Sequence, residues 1–195
     1  PIASGAAAVA VGHDTEANGV ASFAAGHLGH ANADYSVVLC KEALADAQGM
    51  IAFSGGAIAI RGDSQSCLVT WGAATVNAVA GSLGLDGVLG SAIELVLPND
   101  SAYGFDILVT AEIVGGSAAK AWTITGGIRK PGAGAAVFVS GVAPVAVVTA
   151  TDAALATATV VVTAPGGGIL RITVTGVAAT AIHWTASARI ARATG

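Results

Sequence analysis

The chain has 195 residues, of which 45 are alanine and 27 glycine, so its 54% hydrophobic content is built from small side chains, with aromatics at only 5%. Twelve acidic and eight basic residues leave a formal net charge of −4. An apolar, weakly charged chain is the opposite of a disordered one, eight dispersed cations give no footprint for nucleic acid, and glycines without a three-residue period exclude a collagen helix.

This length fits one medium domain or two small ones. Alanine and glycine faces let backbones approach closely, which favours stacked sheets and subunit contacts over a thick helical core, so an oligomer is expected. No basic residue precedes the apolar run of residues 1–12, and no secretory signal is expected there. With Met50 the only methionine, the chain is expected to start after removal of an initiator methionine or another cut.

From the N-terminus the chain repeats every 14 residues. Val9, Phe23, Val37 and Ile51 align; Gly12, Gly26, Cys40 and Ser54 follow in register, as do Ala17, Ala31, Ala45 and Ala59. Asn18, Asn32 and Asp46 fill the next column. A unit this short cannot bury its own apolar face, whereas stacked copies share backbone hydrogen bonds and one narrow core, which predicts a solenoid of four coils. Alanine suits the thin interior, glycine the turns with positive φ, and Asn or Asp the positions that hold a turn. The exposed flanks of so short a solenoid predict threefold association. Cys40 and Cys67 fall in predicted strand interiors and are expected to be buried free thiols.

On these residues, the stretch from about 5 to 61 resembles the head repeat of trimeric autotransporter adhesins and the similar repeats of phage tail fibres and appendages. Cys40, Ser54 and Ile60 depart from that pattern, which implies a looser coil or strands exchanged between subunits.

The period ends at Arg61, and a boundary is placed at Gly62-Asp63, giving units 1–61 and 62–195. Strands are predicted at 67–71, 92–97, 104–113, 121–125, 135–140, 145–149, 157–163, 169–175 and 182–190. Phe105, Ile107, Val109, Ala111 and Ile113 alternate with polar residues, as do Ile182, Trp184, Ala186, Ala188 and Ile190, so each set faces a core. The turns between them carry proline, glycine, asparagine and aspartate, as at Pro98-Asn99-Asp100-Ser101 and Pro165-Gly166-Gly167-Gly168. Short strands with regular turns and no helical period predict an antiparallel β-sandwich. The uncharged run 132–151 holds Ser140, Pro144 and repeated valine, and reads as strands and turns rather than a membrane helix.

Gly62-Asp63-Ser64-Gln65, Leu97-Pro98-Asn99-Asp100, Ala121-Trp122-Thr123-Ile124, the run Ile169 to Gly176 and Ile182-His183-Trp184-Thr185-Ala186 are together similar to the C-terminal domain of many phage and prophage tail-fibre proteins. The tail Arg189 to Gly195 is more basic and richer in alanine than that family's. The resemblance implies a non-catalytic, trimeric virion protein.

Candidate chemistry is sparse. His13, His27 and His30 lie close in the repeat, but without a carboxylate or cysteine at ligand spacing they are expected to be solvent-facing turn residues rather than a metal site. A glycan-cleaving site needs two carboxylates about 5 to 9.5 Å apart. Asp106 and Glu112 share a strand face but lie six residues apart, about 20 Å, and Glu94 is the remaining candidate partner. Arg61-Gly62-Asp63 matches an integrin tripeptide and Asn99-Asp100-Ser101 a glycosylation acceptor; both are short enough to arise by chance. Trp71, Trp122 and Trp184 fall on apolar strand faces and are expected to anchor the core rather than carry sugar.

The sequence therefore predicts an all-β homotrimer, a parallel β-roll or β-helix-like solenoid at 1–61 followed by a β-sandwich at 62–195. The resemblances imply a phage virion protein, made in the host cytoplasm, that is not an enzyme and has no catalytic, cofactor or metal residues. The expected role is a tail fibre or tail tip whose partners are its own copies, other virion proteins and a bacterial surface glycan or protein, with neither nucleic acid nor membrane. The receptor-binding residues stay unassigned. The alternatives are a capsid decoration or head-fibre protein, and a glycan-degrading tailspike enzyme.

Overall fold

The structure, a computed structural model, describes residues 1–195 and is all-β apart from one 3₁₀ turn at Ala153–Leu155. No helix is long and apolar enough to cross a membrane.

Four solenoid coils open the chain. Each has a short strand, β1 (Ile2–Ala3), β3 (Glu16–Ala17), β5 (His30–Ala31) or β7 (Leu44–Ala45), and a longer one, β2 (Val9–His13), β4 (Phe23–His27), β6 (Val37–Lys41) or β8 (Ile51–Gly55). Short strands pair in parallel with short and long with long, in a 14-residue register that sets Val9 beside Phe23, Phe23 beside Val37 and Val37 beside Ile51. Between the two sheets, Ala24, Val38 and Ala52 and the column Ala17, Ala31 and Ala45 are completely buried. Small side chains are what allow two sheets to close on so thin an interior.

The coil corners correct one expectation. Positive φ is not reserved for glycine: Ala7, Ala21 and Tyr35 form one left-handed column and Asp14, Leu28 and Glu42 another. That conformation turns the N–H of Ala21 to the carbonyl of Ala6, of Leu28 to His13 and of Glu42 to His27, each on the preceding coil. A left-handed residue costs about 1 kcal/mol, and the backbone bond it makes to the preceding coil, worth about 1 kcal/mol, offsets that cost. A second correction concerns Cys40. It occupies the Gly12 and Gly26 column with φ of 80°, and is exposed rather than buried.

The column of short strands stops at β7. Where the repeat would place another, Ile58, Ala59 and Ile60 instead donate their backbone N–H groups to the carboxylate of Asp63. Gln65 then takes the place of a next strand: its Oε1 accepts from the N–H of Leu44 at 2.9 Å and its Nε2 donates to the Leu44 carbonyl at 2.8 Å.

Strand β9 (Ser64–Thr75) pairs antiparallel with β8, so the long-strand sheet continues without a break into the rest of the chain. Its further strands are β12 (Ser101–Ile113), β13 (Ala119–Lys130), β14 (Val137–Phe138), β15 (Val147–Thr151) and β18 (Ile182–Thr194), in the order β14-β13-β12-β18-β9-β8-β6-β4-β2, with β15 also on β13. A smaller antiparallel sheet holds β10 (Ala80–Ser82), β11 (Leu95–Val96), β16 (Thr159–Thr163) and β17 (Ile169–Thr175). Both contribute to one buried cluster, which includes Ile107, Val109, Ile124 and Trp184 from the large sheet and Leu95, Val162, Leu170 and Ile172 from the small one. The strand alternations read from the sequence hold: Phe105, Ile107, Val109 and Ala111 are buried and Ile113 half-buried, while Asp106, Leu108, Thr110 and Glu112 are exposed. Lys120 is buried in this layer, with its ammonium donating to the carbonyls of Leu155, Ala156 and Ala158 and lying 5.0 Å from the Trp122 ring centre.

Candidate interaction surface

The large sheet turns one face to the core and the other outward. Because the registers interlock, outward residues form rows across eight strands. One row runs Val9, Phe23, Val37, Ile51, Leu68, Arg189, Asp106, Thr125 and the next Val11, Ala25, Leu39, Phe53, Ser66, Ala191, Gly104, Gly127. The solenoid half of both rows is apolar without exception. The other half changes to a strip in which Asp106 accepts from the Thr125 hydroxyl at 2.8 Å with Arg189 opposite it, beside a floor almost without side chains.

Over that floor the segment after β14 forms a wall. Ala102, Gly104, Ala191 and Ala193 below and Val139, Val142, Pro144 and Val145 above enclose an open groove of about 850 Å³. The three valines are more than half exposed, and every residue of β15 is exposed. This face has the chemistry of a contact surface, because large uncovered apolar patches are uncommon on isolated soluble chains.

The candidate residues are not gathered into one site. His13 and His27 stack with ring centres 5.1 Å apart on the long-strand sheet. His30 lies on the short-strand sheet, where its Nδ1 meets the Arg61 guanidinium at 2.8 Å and Glu16 at 3.4 Å. Burial and then Arg61 push the His30 pKa below the ordinary imidazole value, with Glu16 opposing them. Glu94 is buried and accepts from Nε and Nη2 of Arg171, which commits it to that ion pair. Asp63 of the Arg61-Gly62-Asp63 tripeptide is buried; burial works against its ionised form, but donations from Ala59, Ile58 and Ile60 outweigh this and hold its pKa below the usual carboxylate range. It has no surface to offer a receptor. Asn99 is exposed in a turn, whereas Ser101 is buried and its hydroxyl donates to the Pro98 carbonyl. Trp71, Trp122 and Trp184 are all buried, Trp122 and Trp184 stacked at 5.6 Å, so none presents a ring to a sugar. Cys67 is buried, which pushes its thiol up to about 11. The outward apolar columns were the feature least visible beforehand; their signal was the hydrophobic residue at both alternate positions of each long strand.

No protein-family model and no curated protein matches the sequence. Among solved structures, the chain is similar to the tailspike protein gp49 from Acinetobacter baumannii bacteriophage Fri1, a capsular polysaccharide depolymerase, at 10% identity and a TM-score of 0.36, over 92% of this chain and 36% of that one. It is also similar to the tailspike of Acinetobacter baumannii phage AM24, at 11% identity and 0.38 over 87% and 33%, and to that of Acinetobacter phage vB_ApiP_P1, at 10% and 0.27 over 93% and 41%. The chain thus spans well under half the length of the structures it matches. The expectation that it is not an enzyme does not stand against this comparison: gp49 is a depolymerase, hence an enzyme, and the expectation is withdrawn. At such identities and TM-scores the likeness transfers no residue role to this chain.

Proposed function

We propose that the chain is a building block of a phage tail appendage, a homotrimer carried on the virion that contacts the bacterial surface. In this reading residues 1–61 form a β-roll and 62–195 a β-sandwich, and the loop tips of the sandwich meet the host, three copies giving avidity to weak contacts. The partners are the chain's own copies, neighbouring virion proteins and a surface glycan or protein, and the protein is made in the host cytoplasm before assembly.

The observation that carries the reading is the uncovered apolar half of the outer sheet face on a rigid solenoid. A thin coil stack with such a face is best stabilised by like copies. Sedimentation at three times the 18.7 kDa chain mass is expected. The labelled protein should also be retained on capsulated Acinetobacter baumannii, the host of phages Fri1 and AM24, more than on capsule-free cells. A folded single chain at micromolar concentration overturns the homotrimer, and equal retention on both cell types overturns capsular glycan as the surface contacted.

A further inference from the structure

One imidazole nitrogen on the short-strand sheet lies between a donor and an acceptor. Arg61 brings Nη1 to 2.8 Å from His30 Nδ1, and Oε2 of Glu16 lies 3.4 Å from the same atom. A guanidinium can only donate, so Nδ1 accepts: His30 is neutral with its proton on Nε2, and the Glu16 oxygen faces a lone pair. Protonation reverses this. Both ring nitrogens then donate, so Nδ1 can bond Glu16 and can take no bond from Arg61, whose cation it now opposes.

The surroundings favour that exchange. Asp14, Thr15, Glu16, Leu28, His30 and Arg61 line a cavity of about 230 Å³, which Pro1 and Ile2 complete. The charged groups around the ring are Arg61, Glu16 and Asp14; Asp14 lies 3.1 Å from His13 Nδ1, and β7, with Leu44 and Ala45, contributes no charge. Arg61 is held loosely, since it makes no ion pair and its Nε is buried without a hydrogen-bond partner. An orphaned donor costs free energy, and hydration on release returns it.

The Arg61 side chain straps the end of the short-strand column. Gly62 sits against Leu44 of β7, and from there Arg61 reaches back to His30 of β5. Asp63 keeps the turn itself through the N–H groups of Ile58, Ala59 and Ile60, so release frees the side chain while the turn stays.

We propose that His30 is a proton-operated latch: neutral, it holds Arg61 on the short-strand sheet, and protonated, it bonds Glu16 instead and lets the guanidinium into solvent. The proton binds the two arrangements unequally, which is what shifts their populations. Burial and then Arg61 disfavour the imidazolium, with Glu16 opposing them, so the exchange falls below pH 6.5. The device is independent of the homotrimer reading.

The test is nitrogen-15 NMR of the full chain, titrated from pH 7.5 to 4.5. At pH 7.5 the His30 ring is expected as the Nε2–H tautomer. As the pH falls, the Arg61 Nε–H signal is expected to move with the same midpoint as the His30 ring and to exchange faster with water below it. Glu16→Gln is expected to lower that midpoint and Arg61→Gln to raise it, with unfolding curves at pH 7.5 establishing that each variant is folded. An Nδ1–H tautomer at pH 7.5 overturns the latch, as does an Arg61 signal that stays put through the His30 midpoint. If the variants move the midpoint while the wild-type Arg61 signal does not follow it, ring and cation are coupled by charge alone and the latch is equally overturned.

Discussion

Arg192, near the end of the last strand, donates from Nη1 to the Asp46 carboxylate at 3.0 Å, joining residues 146 positions apart in sequence. The Arg192 side chain is almost fully buried, with its guanidinium 5.9 Å from the Tyr103 ring centre. Asp46 continues the column in which Ser4 donates to Asn18 and Asn18 to Asn32, so the pair ties the coil stack to the antiparallel strands. Only the Arg192 end of the pair is buried; Asp46 is open to solvent, which screens the pair. Asp46→Ala is expected to lower unfolding free energy by about 1 to 2 kcal/mol, and Asp46→Ala with Arg192→Met by less than the sum of the single changes, measured by denaturant unfolding as a double-mutant cycle.

Gln65 acts as a one-residue strand for β7. Gln65→Ala leaves the N–H and carbonyl of Leu44 without partners, which is expected to cost about 2 kcal/mol. Hydrogen exchange reads it locally: the Leu44 amide should exchange faster while amides of β12 keep their protection. Uniformly faster exchange would mean that Gln65 supports the whole molecule rather than this edge.

These two contacts show where sequence reading stops. The 14-residue period carried the register of the solenoid because each coil repeats the same local choices, and alternation in Phe105 to Ile113 carried a face because strand geometry is local. The pairing of β8 with β9, the partnership of Asp46 with Arg192 and the strand mimicry of Gln65 join distant segments that share no local pattern. The same holds for the candidate surface. Its ladder was present as a column of hydrophobic residues, but which side of the sheet stayed uncovered depended on where the second sheet packed.

His30 gives a pH dependence with a definite sign. Its proton is bound more weakly in the folded chain than in the unfolded one, where the pKa is about 6.5. The unfolded state therefore takes up the proton first as the pH falls. The stability His30 contributes is present above about pH 6.5 and is lost as the pH drops through the lower folded value. Melting temperatures from pH 7.5 to 5 should fall more steeply for wild type than for His30→Gln, which cannot titrate. Parallel curves would remove His30 as the source.

At Gly26 glycine is required by space and by φ together, since its φ of +127° lies where L side chains are rarely found. A β-carbon on Gly26 would run into the carbonyl oxygen of Cys40 on the next coil, backbone that cannot move without breaking the ladder. At Gly49, with φ of +67°, a β-carbon meets nothing within 4 Å, and the equivalent corners already hold Ala7 and Ala21 at φ of 57° and 50°. Gly26→Ala is therefore expected to cost about 3 kcal/mol or more and Gly49→Ala about 1 kcal/mol, compared by denaturant midpoints under one set of conditions. Equal losses would show that neither the closeness of the stacked backbones nor the +127° backbone at Gly26 adds to the cost of an ordinary left-handed turn.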